Sequence, residues 1–188
     1  MEAVNAKASR ELRFLQKTVK HLRATVAKDK VAQKAAKEKT GAIASIYVAN
    51  RYNAWKVATL EFMQTLWIGA TNSLPPKKEV LQTLTSTFLS QDAELKKNKK
   101  NIMQFAAFMY DEVEGGLGKE ALDTVLPYDQ MQVLTESKEY LSKHLVFGVQ
   151  LGVTIYDLNA GGDVPGDAKK IGLAEPGKPS MSLAPLDA

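Results

Sequence analysis

"AIASIYVANRYNAWKVATLEFMQTLWIGATNS", residues 42–73, sets how the rest of the chain is read. The run is apolar on most sides of a helical wheel and predicts a helix over 42–71, buried on most of its faces. "NSLPPKK" stops it, and Pro75–Pro76 start a new element. Downstream, "KKEVLQTLTSTFLS" places Val80, Leu81, Leu84, Phe88 and Leu89 on one helical face. "DAELKKNKKNIMQFAAFMYDEVEGG" turns apolar at Ile102, Met103, Phe105, Ala106, Phe108 and Met109, and Gly115–Gly116 close it as a helix C-cap. "KEALDTVL" reads as a short helix, and Pro127 suits the first turn of a last long helix over 128–158. The β-branched residues of "LVFGVQLGVTIY" do not alternate, so helix is favoured there too.

Upstream of Gly41, residues 3–40 hold no Gly or Pro and are rich in strong helix formers. Ala8, Leu12, Leu15, Val19, Leu22 and Val26 form a narrow apolar stripe, with cations mainly on the other side. Such a helix would run ~50 Å or more, longer than a small domain is wide. The last segment, 160–188, carries five of the chain's 12 Gly and four of its 7 Pro and predicts an extended tail without a core. The expected architecture is all-α. It comprises an N-terminal helical arm over 1–73 (basic helix 3–40, break at 41, aromatic-rich helix 42–71), a helical bundle over 74–159 and an irregular tail over 160–188.

Charge is uneven. The whole chain of 188 residues carries +4, while residues 1–40 alone hold 11 Lys and Arg against four acids. An arm of +7 beside a remainder of −3 points to a polyanionic partner. The chain has no cysteine, which excludes disulfide scaffolds, thiolate zinc sites and cysteine nucleophiles. The polar, charged N-terminus shows no signal peptide, and every long apolar run is short or interrupted by charge, so no membrane-spanning helix is expected.

Reactive chemistry is sparse. His21 lies in the basic arm and His144 before an apolar run, neither with a ligand partner at metal spacing. "EGGLGKE", residues 114–120, lacks the spacing of a phosphate loop and has Glu120 where a metal-binding hydroxyl is needed. Asp111, Glu112 and Glu114 cluster at a helix end, where a solvated face is the simple account. No cofactor, no metal and no enzymatic activity are expected. "LKKNKKN", residues 95–101, is a second basic knot. Tyr47, Tyr52, Trp55, Phe62 and Trp67 form the densest aromatic set, with Arg51 and Lys56 interleaved. At helical spacing such a set is core or subunit interface, or a rigid backing for cations that meet phosphates.

The arm admits three readings: a solvated helix, a short coiled coil, or a sleeve along a sugar–phosphate chain. A lone helix gains little without packing, and basic flanks repel a parallel copy. The sleeve accounts for both length and charge, through phosphate contacts that release counterions without reading bases. Its expected nucleic-acid-binding residues are Lys7, Arg10, Arg13, Lys17, Lys20, Arg23, Lys28, Lys30, Lys34, Lys37 and Lys39, with Arg51 and Lys56 on the next helix.

"NRYNAWKVATLEF", with Arg51, Tyr52, Trp55 and Phe62, together with the basic arm and helical bundle, resembles the major coat proteins of archaeal rod-shaped and filamentous viruses, the rudivirus and lipothrixvirus group. The resemblance implies a virion protein of a helical capsid that encases double-stranded DNA in the A-form. Its implied partners are DNA, a second copy or a paralogous coat protein in a dimeric building block, and in some filaments a lipid envelope. Its implied location is the virion, with the host cytoplasm before assembly. The alternative expectation is a bacteriophage internal, neck or tail component whose arm contacts protein.

Overall fold

The computed structural model describes residues 2–38, 40–145 and 151–186. The chain divides into two compact units: residues 1–51 with 125–188, and residues 52–124 between them in sequence.

The first unit is built on a three-stranded sheet, so the all-α expectation is corrected. Strand β1 (Ala42–Val48) lies at the centre, parallel to β2 (Leu151–Asp157) and antiparallel to β3 (Ser180–Pro185). β1 is the start of the run expected to be helical. As a central strand it is covered on both faces, with Ala42, Ala44, Ile46, Tyr47 and Val48 all buried. Covering both faces blurs alternation into a continuous apolar run, which periodicity alone cannot separate from a buried helix. β2 occupies the end of the segment expected to be one long helix. The described part of that segment is instead α7 (Gln130–Glu136), α8 (Lys138–His144) and the strand; 146–150 lie outside the described residues. β3 lies in the expected tail, where Met181 is buried against the sheet core. Gly41 allows close approach at the sheet margin, since a Cβ there would sit 2.5 Å from Leu186 Cδ2.

Register sets the two faces. Ala44 lies opposite Val153 and Leu183, and Ile46 opposite Ile155 and Met181, so these side chains share one face. Onto that face pack α1 (Glu2–Val26), α2 (Lys30–Glu38), α7 and α8, through Phe14, Leu22, Ala35, Leu134 and Leu141 among others. Burying Leu22 or Leu141 in full is worth ~2–3 kcal/mol each before chain entropy. The arm is thus part of a core of its own chain. Its inward stripe runs through Phe14, Thr18, Val19, Leu22 and Val26, while Leu12 is 56% exposed. The basic segment is also two helices rather than one. The chain turns at 27–29, and Asp29 caps α2 by accepting the Val31 N–H at 2.8 Å.

The second face of the sheet is polar at its centre. Ser45, Thr154 and Ser182 share one cross-strand row, and Tyr47, Tyr156 and Ser180 the next. Tyr47 is fully buried; its hydroxyl lies 2.8 Å from Ser182 Oγ and donates to the Pro165 carbonyl at 3.2 Å. Gly166, at φ +131°, passes directly over that hydroxyl. The Gly/Pro-rich loop therefore closes over the sheet. Gln130, buried at the start of α7, ties the margin: its amide nitrogen donates to Ala49 O and Asn50 Oδ1, and its oxygen accepts the Gly177 N–H at 2.7 Å.

The second unit is helical. It comprises α3 (Ala54–Thr65), α4 (Lys77–Thr83) continued by a π-helical turn over 84–88, α5 (Ala93–Lys97), and α6 (Lys99–Glu112) continued by a π-helical turn over 113–117 and a 3-10 turn over 118–122. Asn53 caps α3 by accepting the Lys56 N–H. Leu60, Met63, Val80, Leu84, Ile102, Ala106 and Leu122 form its core. Gln64 Nε2 closes the unit by donating to Leu122 O at 2.8 Å.

Candidate functional site

The aromatic residues of "RYNAW" gather in the second unit. Capping by Asn53 starts α3 just after Tyr52, so Tyr52 and Trp55 both reach Phe105 on α6. The rings meet edge-on, with centroids 5.9 Å and 5.6 Å from that of Phe105. Lys56 Nζ stands 5.2 Å from the ring centroids of both Trp55 and Phe105, a cation–π arrangement. Tyr52 and Trp55 stay half-exposed. Phe108, about one turn beyond Phe105 on α6, is 50% exposed. Phe62 turns to another part of the unit, with its ring 5.0 Å from that of Phe88. Tyr47 belongs to the sheet of the first unit instead, stacked on Tyr156.

On the other flank of α6, Lys77 Nζ meets Asp111 Oδ1 at 2.6 Å and lies over the Tyr110 ring. The knot of Lys96, Lys97, Lys99 and Lys100 is exposed where α5 meets α6, and Lys97 pairs with Glu94. Gly115–Gly116 end a helical stretch as expected, Gly116 taking φ +99°.

Of the arm residues, Lys7, Arg13, Lys17, Lys20, Lys28, Lys30, Lys34 and Lys37 are exposed, while Arg10 and Arg23 are half-buried. Lys39 lies outside the described residues. Arg51 is exposed and Lys56 half-buried. Lys7 pairs with Glu11. Arg23 Nε donates to His144 O at 2.7 Å, holding α1 to the C-terminal turn of α8, where a cation complements the helix dipole.

Titratable groups are perturbed singly, not in clusters. Burial, helped by the Lys178 charge, holds His21 below the usual imidazole range. Burial pushes Tyr128 up to about 12, with its ring 5.3 Å from Phe14. The hydrogen bond and charge of Lys143 lower the Glu139 carboxyl. Among the described residues no three His, Cys, Asp or Glu side chains stand where they would hold a metal ion. No described helix is long and apolar enough to cross a membrane.

Residues 48–127 match the family model of the leucine–tRNA ligase RagD-binding domain. The match brackets the second unit, 52–124, and with it the whole aromatic cluster. The cytoplasmic leucine–tRNA ligase of Arabidopsis thaliana is 31% identical over 100 residues, 53% of this chain and 9% of the plant protein. That of Dictyostelium discoideum is 27% identical over 139 residues, 74% of this chain and 12% of its own length. That of Pongo abelii is 33% identical over 101 residues, 54% of this chain and 8% of its own. The chain thus spans only 9% to 12% of the length of the first two relatives.

These likenesses overturn the viral reading. The resemblance to archaeal virus coat proteins rested on Arg51, Tyr52, Trp55 and Phe62 together with the basic arm and helical bundle, and all four residues lie within 48–127, which matches a different family model. The capsid function goes with it, as do the phage-component alternative, the virion location and the partners it supplied: double-stranded DNA, a paralogous coat protein and a lipid envelope. The physical premise fails as well. The arm's length was assigned to a polyanion sleeve because a lone helix needs packing, and α1 has that packing on the sheet of its own chain.

Proposed function

We propose that this chain is a non-catalytic portion of a leucine–tRNA ligase-like protein of the cytoplasm, and that its second unit is a docking module for a RagD-type GTPase. The observation that carries this reading is the coincidence of an 80-residue family match, 48–127, with an independently packed helical unit. The relatives named cytoplasmic leucine–tRNA ligases support the wider setting. Unit 2 also has the composition of a protein interface, with half-exposed Tyr52 and Trp55 and exposed Phe108. Aromatic residues of this kind dominate binding energy at protein–protein contacts.

The test is direct binding of the purified full chain to immobilised recombinant RagD by biolayer interferometry. Saturable binding is the expected result. Absence of binding with RagD and chain both verified as folded would overturn the docking reading. Incubation of the chain with leucine, ATP and tRNA should yield no charged tRNA.

A further inference from the structure

From Phe62 to Pro76, across the connection between α3 and α4, the chain carries no Asp, Glu, Lys or Arg, although 24% of all its residues are charged. Both ends of this connection belong to the core of unit 2. Trp67 packs against that core half-buried, and Leu74 lies within it, 5% exposed. The turn between them, Ile68 to Asn72, stands in water. All five of its residues are exposed, Ile68 with 40% of its surface. Packing within unit 2 does not require such a turn to be uncharged, nor to leave an isoleucine outside.

The turn is also held in shape. Ile68 and Ser73 pair as an antiparallel bridge: the Ile68 N–H donates to Ser73 O at 2.9 Å, and the Ser73 N–H to Ile68 O at 3.4 Å. Thr71 Oγ1 lies 2.8 Å from Ser73 Oγ. Asn72 turns the corner at φ +51°, the one non-glycine residue with positive φ among those described. A surface fixed in this way loses little freedom when a partner covers it. Charged, exposed side chains flank it in sequence: Glu61 on α3, and Lys78 and Glu79 at the start of α4. A protein interface has this make-up, with ionised groups depleted at its centre and polar groups at its rim. The aromatic cluster around Phe105 is more committed within the chain, since Tyr52 is seated on that ring and Phe108 has a contact of its own.

We propose that the turn 68–72, with Trp67 at its root, is the surface of unit 2 that holds the GTPase, an inference resting on the RagD reading above. The family match, 48–127, contains the whole turn and names the occupant. The GTPase meets the turn with an uncharged, apolar surface that covers Ile68. A charge placed at the tip would there be stripped of water without a counterion.

The experiment compares the full chain with I68S, A70E and A70K, and with Q91E as a control for net charge. Gln91 is exposed and lies beyond the far end of α4 and its π-helical turn. Each is measured for RagD binding and for melting temperature by tryptophan fluorescence, which follows unit 2 because Trp55 and Trp67 both lie there. All four should melt like wild type, since the altered side chains are exposed. I68S, A70E and A70K should each bind at least tenfold more weakly, and Q91E should bind like wild type. Wild-type binding by all three turn variants would overturn this surface while leaving the RagD reading intact. A wild-type chain that does not bind RagD at all would remove both. Weakening by A70E with binding kept or tightened by A70K would show attraction to charge instead of an uncharged contact, and overturn the proposal, as would equal weakening by Q91E.

Discussion

Replacing Gln130 with leucine tests how the first unit is closed. Gln130 is 2% exposed. Its amide serves three groups: it donates to Ala49 O and Asn50 Oδ1, each at 3.1 Å, and accepts from the Gly177 N–H at 2.7 Å. Leucine keeps most of the volume and deletes every polar contact. Asn50 is half-exposed and can turn to water, but the Ala49 carbonyl loses its partner at a buried site and the Gly177 N–H at a half-buried one. Each stranded backbone group costs about 1–3 kcal/mol. The extra apolar surface of leucine returns about 1 kcal/mol, leaving a net loss of ~1–5 kcal/mol. In a unit of this size that lowers the midpoint by roughly 10 °C. Both tryptophans sit in unit 2, so their fluorescence follows that unit, while far-UV circular dichroism also follows α1 and the sheet. The dichroism transition of Q130L should move down by about that amount, with the fluorescence transition nearly in place. A dichroism shift worth less than ~1 kcal/mol would refute the reasoning, because the stranded groups would then have cost almost nothing.

Two further substitutions probe the same unit from opposite directions. Gly166→Ala puts a Cβ 1.8 Å from the Tyr47 hydroxyl at φ +131°, and should destabilise by ~3 kcal/mol or more in thermal melts; the double variant G166A/Y47F should stay destabilised, since the ring itself lies 2.9 Å from that Cβ. Thr18→Val removes a buried hydroxyl that has no hydrogen-bond partner among the described residues, at nearly constant shape, and should raise stability by about 1 kcal/mol in urea unfolding; a loss of stability would mean that the hydroxyl is bonded after all.

Helices whose partners lie nearby in the chain were legible from sequence. The face predicted from Val80, Leu81, Leu84, Phe88 and Leu89 is the buried one, with Leu81 only half-buried at its margin. In α6, Ile102, Phe105, Ala106 and Met109 are buried as their spacing requires, while Phe108, grouped with them by composition, points outward. Phe108 was therefore in view as core but not as surface. In α1 the helix was legible, and so were Val19, Leu22 and Val26 of its stripe, which are buried; nearer the N-terminus Phe14 and Thr18 face the core while Leu12 does not.

From the residues alone come the helical character of 54–65, 77–83 and 99–112, the basic outer side of the arm, the breaks at Gly41 and Pro75–Pro76, and the scarcity of reactive groups. The sheet is a product of tertiary structure. Strand propensity is settled by neighbours across the sheet, and Ala42 finds its neighbours only at Leu151 and Pro185. No local window holds that information. The same holds for the arm, whose apolar stripe is indifferent to what covers it: the fold supplied a sheet from its own chain, and with it the reason for a long basic helix to exist without a polyanion.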